Sequence, residues 1–124
     1  MRRVLFVVVV VMALGSLLSP PAVAQQRVVT AAFYRYNPTP VEVAPGDTLV
    51  FLNSDPAIGS WEGHSVTHAA PPGEQLFDSP ITPPGGAGEV VGVAELQPGS
   101  YAVTCRVHAF MTGTVIVVGK GSAS

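Results

Sequence analysis

Residues 100–118 read SYAVTCRVHAFMTGTVIVV, and this stretch decides the fold. In Ser100–Cys105, side chains alternate, with Tyr101, Val103 and Cys105 on one face and Ala102 and Thr104 on the other. Thr114–Val118 is a second run of strand-forming residues. The pattern is therefore a strand, a short polar-containing loop and a strand. Working outward, similar short runs occur at Val28–Tyr36, Val41–Val43, Thr48–Asn53, His64–His68 and Val90–Leu96. Turn signals separate them at Pro45-Gly46-Asp47, Pro71-Pro72-Gly73, Pro83-Pro84-Gly85-Gly86 and Pro98-Gly99. The longest stretches of residues 25–124 free of Gly and Pro, 25–37 and 100–112, lack the i, i+3, i+4 spacing of an amphipathic helix. The spacing predicts an all-β domain, an antiparallel β-sandwich of seven to eight strands.

The chain has 124 residues, 48% hydrophobic and 11% charged, with a formal charge of −2. That length fits one domain. The apolar bias is concentrated near the start. Met1-Arg2-Arg3 is basic, residues 4–18 are apolar, and Ala22-Val23-Ala24 has the small residues that a signal peptidase requires. The apolar block of about 15 residues is shorter than the roughly 20 of a spanning helix. We therefore expect residues 1–24 to be a bacterial export signal and 25–124 the mature domain, periplasmic or secreted, with no stable membrane insertion after cleavage; an uncleaved membrane anchor is the alternative. Residues 25–124 carry Arg27, Arg35, Arg106 and Lys120 against Glu42, Asp47, Asp55, Glu62, Glu74, Asp78, Glu89 and Glu95, a balance of −4. An acidic domain lacks the basic face that nucleic acid requires. The acids themselves read as solvated surface. We find no paired carboxylates, no Ser-His-Asp order and no phosphate loop.

Exported proteins usually pair their cysteines, so the lone Cys105 needs an explanation. It opens a C-x2-H-x2-M sequence with His108 and Met111, the only methionine after the first 24 residues. Separately, a buried Cys is ordinarily a small hydrophobe, a Met core filler and a loop His a surface residue. Their coincidence within seven residues points to a metal. One further imidazole completes two His, one Cys and a weak axial Met, the donor set of a blue-copper centre. His64 can supply it, and His68 competes, because strand alternation puts both on one face. Zinc is the rival ion, but thioether is not among its usual ligands.

Other stretches now fall into line. Phe33-Tyr34-Arg35-Tyr36-Asn37-Pro38, then Val41-x-Val43-x-Pro45-Gly46-Asp47-Thr48, then Phe51-Leu52-Asn53-x-Asp55 and His64-Ser65-Val66-Thr67 resemble a small cupredoxin. So do Phe77-Asp78-Ser79, Pro98-Gly99-Ser100-Tyr101, the C-x2-H-x2-M loop and Gly113-x-Val115-x-Val117. The resemblance covers nearly all of residues 28–118. It is to the plastocyanin and azurin class, and the ligand loop is most similar to that of amicyanin. It implies an eight-stranded Greek-key sandwich with one type 1 copper, cycling between Cu(I) and Cu(II), held by His64, Cys105, His108 and Met111. It favours His64 over His68, and it implies that the Ser65 N–H donates to the Cys105 sulfur. Three positions depart from the family pattern: Ser65 follows the first ligand His, Pro56–Gly63 with Trp61 lengthens the preceding link, and Ala109 stands where a proline is usual.

The expectation is a monomeric one-electron carrier, not an enzyme, whose protein redox partners dock near His108. A copper-binding or delivery module without electron transfer is the alternative. A metal-free structural sandwich is the third reading. Trp61 is expected either to pack the longer link or to rim the site, and Asn53 to brace this region.

Overall fold

The computed structural model describes residues 23–56 and 63–119. The expected signal segment up to residue 22, Trp61 and Lys120 lie outside the described residues. Eight strands run in chain order: β1 (Gln26–Ala32), β2 (Arg35–Asn37), β3 (Val41–Val43), β4 (Thr48–Asn53), β5 (Thr67–His68), β6 (Ala87–Glu89), β7 (Gly99–Thr104) and β8 (Thr112–Val117). They form two four-stranded sheets, ordered β2-β1-β4-β6 and β3-β8-β7-β5. The chain crosses repeatedly between the sheets, giving the all-β Greek-key sandwich.

Period-2 alternation builds the core between the sheets. In β4, Leu49, Phe51 and Asn53 are buried while Leu52 faces outward. In β8, Val115 and Val117 point in. Val29 and Ala31 of β1, Val41 and Val43 of β3 and Val103 of β7 complete the contact from both sides.

Four details differ from the sequence reading. The run Val28–Tyr36 is a hairpin, broken at Phe33 and Tyr34. The run Val90–Leu96 is not a strand. The strand is Ala87–Glu89, and Val93–Glu95 forms a 3-10 turn that buries Val93. Gly92 permits this change of direction, since its φ is 103° and a Cβ there would lie 2.2 Å from the Leu76 carbonyl oxygen. His64–His68 is strand only at Thr67–His68, so alternation along it does not apply. Finally, the sandwich is not purely antiparallel. β1 pairs in parallel with β4, and β3 with β8.

The parallel β1–β4 pair begins at a buried carboxylate. Asp47, 2% exposed, accepts the Gln25 N–H at 2.8 Å and the Ala44 N–H at 2.9 Å, and pairs with Arg27 Nε at 3.1 Å. It is not the solvated acid that the sequence suggested, because its partners are remote in the chain or supplied by its own turn. Burial by itself raises a carboxyl's pKa. Here the bonds from Gln25 and Ala44 and the Arg27 guanidinium outweigh it and hold Asp47 below its usual value. Because the folded value is the lower one, the stabilisation is present above the unfolded carboxyl's pKa of about 3.9 and is lost as pH falls through the folded value. Asp47→Asn is expected to cost about 1–2 kcal/mol at neutral pH. Urea unfolding across a pH series should show the gap to the parent closing below about pH 4. A gap that does not change with pH would place the effect elsewhere.

Candidate metal centre

β7 and β8 are adjacent antiparallel strands whose last pair is Thr104↔Thr112. The C-x2-H-x2-M sequence is the link between them, so its three candidate ligands emerge at one end of the sandwich. The link closes on itself: Cys105 N–H donates to the Met111 carbonyl at 3.2 Å, and Met111 N–H to the His108 carbonyl at 2.9 Å. Cys105 and Met111 are 2% and 1% exposed, while His108 is half-buried.

His64 reaches the same place from a segment held by Thr82. His64 N–H donates to the Thr82 carbonyl at 3.1 Å, and Thr82 N–H returns to the His64 carbonyl at 2.8 Å. Asn53, buried in β4, donates its side-chain amide to the Thr82 carbonyl at 2.9 Å. This is the bracing role expected of Asn53, exerted through the partner of His64.

The His64 and His108 Nδ1 atoms lie 3.2 Å apart, and each is about as far from Cys105 Sγ, at 4.0 and 3.9 Å. The point equidistant from the three atoms is about 2.2 Å from each, in the range of metal bonds to imidazole and thiolate, about 2.0–2.3 Å. At 3.2 Å the two Nδ1 atoms are close enough to share a proton or a common cation. Met111 is buried at the base of the same loop, consistent with a weak fourth donor. The residues present thus fit a copper ion.

The outer contacts set ring and sulfur orientation. Ser65 N–H donates to Cys105 Sγ at 3.4 Å, as the resemblance implied, and Val107 N–H donates to the same sulfur at 3.4 Å. Ser65 Oγ accepts the Arg106 N–H at 3.0 Å and meets Thr67 Oγ1 at 2.9 Å. Thr67 Oγ1 donates to Asp78 Oδ1 at 2.6 Å, and the Arg106 guanidinium returns to that oxygen at 3.2 Å. The ring so formed ties the ligand loop to β5 and to the segment before β6. Tyr36 OH donates to the Ser65 carbonyl at 2.5 Å, and burial, helped by the negative charge of Cys105, pushes its phenol pKa up.

Two contributors escaped the sequence reading. Asp55 pairs through Oδ2 with His64 Nε2, which turns Nδ1 toward the site. Its sequence places it with the solvated acids, although the Asn53-x-Asp55 spacing is a signal: Asp55 N–H donates to Asn53 Oδ1 at 3.0 Å, curling the chain so that the carboxylate faces inward. Tyr34 lays its ring against both histidines. His68 lies away from the triangle. It stacks on Phe77, and its Nδ1 accepts the Leu76 N–H at 3.2 Å. Among the described residues, the three-residue grouping able to hold a metal is His64, Cys105 and His108.

The fold and this cluster define a copper-binding β-sandwich, and comparison with known proteins agrees. The pattern of the copper binding proteins of the plastocyanin/azurin family matches residues 23–118. The chain belongs to that family. It is similar to solved amicyanin structures. One is the oxidised state of a proline-to-alanine mutant, at 30% identity and TM-score 0.56, covering 74% of this chain and 81% of that one. Another is the reduced Cu(I) form at pH 4 of a proline-to-glycine mutant, at 28% identity and TM-score 0.57, covering 78% and 86%. A third is the reduced state of a proline-to-phenylalanine mutant, at 28% identity and TM-score 0.58, covering 74% and 81%. No curated protein sequence matches. The cofactor of this chain is one copper ion.

Because Asp55 fixes the His64 ring, Asp55→Ala is expected to weaken copper binding about 10- to 100-fold while the domain stays folded. Competition with a chelator of known affinity measures it. An unchanged affinity would mean that burial alone orients His64.

Proposed function

We propose that the protein is an exported one-electron carrier whose copper is held by His64, Cys105 and His108, with Met111 as the weak axial ligand. The triangle of two Nδ1 atoms and one Sγ, closing at 3.2 to 4.0 Å, carries this reading. Copper bound there supplies a Cu(I)/Cu(II) couple, since thiolate and thioether suit the reduced ion and imidazole the oxidised one. The chain's own part is to hold the donors still. His64 is locked by Asp55 and Thr82, Cys105 by the N–H groups of Ser65 and Val107, and the loop by the β7–β8 ladder. Fixed donors change little between oxidation states, and four protein ligands leave no open position for a substrate, which argues against an enzyme.

Protein redox partners would dock on the face around His108. Val107 and Phe110 are 44% and 71% exposed beside it, an apolar patch of the modest kind that weak redox encounters use. Glu42, Glu74, Glu89 and Glu95 are exposed and would steer a basic partner, an effect that salt screens. The working form is a monomer.

Export rests on the signal at residues 1–24. It is supported by where the sheet begins. Val23 is 82% exposed, whereas Gln25 is the first residue bonded into the sandwich, through its N–H to Asp47 and its carbonyl to the Thr48 N–H. Among the described residues no helix is long and apolar enough to cross a membrane. On this reading the mature domain is residues 25–124, in the periplasm or secreted.

The copper-loaded protein should show a strong thiolate-to-copper band in the red. Cys105→Ser and His64→Ala should abolish it, and His68→Ala should leave it intact. A colourless Cu(I) protein that does not cycle would favour copper delivery, and no binding a structural sandwich. Electron exchange with a basic redox protein should slow as salt is added. Phe110→Lys, which removes the apolar contact and repels a basic partner, should slow it without moving the band. The mass of the exported product should place its first residue at Gln25.

A further inference from the structure

The β1–β2 hairpin is closed by two residues, because Ala32 pairs with Arg35. Both of them, Phe33 and Tyr34, have left-handed backbones, with φ of 51° and 62°. A two-residue turn with both φ values positive is ordinarily built from Asn-Gly, since a Cβ opposes that backbone. Here two large aromatic residues occupy it. They are the non-glycine residues of positive φ among the described residues. Strain that a simpler residue would relieve gathers where a side chain has work to do.

The turn has a definite product. It sets the Tyr34 ring edge-on to both imidazoles, with centroids 4.9 Å from His108 and 5.8 Å from His64. Phe110 flanks the same ring at 5.5 Å and meets His108 edge-on at 5.8 Å. The turn is also tied to the site through its backbone. Phe33 N–H donates to Asp55 Oδ1 at 2.5 Å, and the other oxygen of Asp55 holds His64 Nε2. The Phe33 side chain is 73% exposed, so its contribution to the site is that N–H.

Resting on the reading that His64 and His108 ligate copper, we propose that Tyr34 is a positioning residue: its ring, delivered by a strained turn, holds the two imidazoles facing one another and closes the solvent side of the site, so that bound copper is released slowly. Of the two rings, His108 is the half-buried one, and turning it outward requires the Tyr34–Phe110 wall to part. His64, fully buried and bonded to Asp55, has no such route.

The test separates strain from positioning. In the metal-free protein, Phe33→Asn keeps the N–H and relieves the turn, and should raise the melting temperature by about 5 °C. Phe33→Asn combined with Tyr34→Gly should melt at or above the parent. In the copper-loaded protein, Phe33→Asn and Tyr34→Phe should lose the thiolate-to-copper band to excess EDTA at the parent rate. The double variant and Tyr34→Ala should lose it about 10-fold faster. Equal rates for parent and double variant overturn the proposal. So does a double variant melting well below the parent, which would make Tyr34 a packing residue. Failure of the ligation reading looks different, because the parent itself would then show no band. In that event ring dynamics of His108 by NMR in the metal-free protein decide: faster motion in Tyr34→Ala supports the positioning role, and unchanged motion overturns it.

Discussion

The site depends on one residue that makes no claim on the metal. Ser65 is fully buried and places three polar groups on three different neighbours. Its N–H points at the Cys105 sulfur, its hydroxyl receives the Arg106 N–H, and its carbonyl receives the Tyr36 hydroxyl. Each contact crosses from one part of the chain to another. The first two fix the ligand loop, and the third fixes the segment carrying His64 against β2. A buried polar group left unpaired costs about 1–3 kcal/mol, so this arrangement is stable only while all the partners are in place. Among the described residues, no buried side-chain nitrogen or oxygen lacks a partner.

That constraint explains the division of labour in the sandwich. The apolar interior, with Phe51, Leu49 and the valines, supplies cohesion that is indifferent to direction. The direction comes from the polar contacts at one end. Asn53, at the last position of β4, is where the inward face changes from apolar to polar. From there hydrogen bonds connect Thr82, His64 and Asp55, and the ring through Ser65, Thr67, Asp78 and Arg106 ties in the loop. A metal centre that must keep its shape through an oxidation change needs this second kind of interaction more than the first.

What could be read from the sequence follows the range of each interaction. The C-x2-H-x2-M loop and its flanking strands were legible because ligand spacing and strand alternation are both local. β3 and β4 were read correctly for the same reason. The hairpin at Phe33 and Tyr34 is not, because two aromatic residues carry none of the usual turn chemistry, and their contacts are with residues more than 20 positions away. Val90–Leu96 reads as a strand because an apolar run serves a 3-10 turn over the core equally well. The parallel pairings had no local signal, since register between β1 and β4 is set by Asp47 and its distant donors. The acids Asp47 and Asp55 looked like surface for that reason too: a carboxylate is buried only with its partners, and the partners are brought by the fold. His64 and His68 could not be separated by alternation, and the structure separates them because residues 64–66 are not regular strand.

The account stands on a thiolate and two imidazoles sharing one copper ion. X-ray absorption at the copper edge of the loaded protein tests this most directly. The account predicts one short copper–sulfur distance and two copper–nitrogen distances, with any second sulfur weak and remote. A first shell of nitrogen and oxygen alone, with no short sulfur, would contradict it.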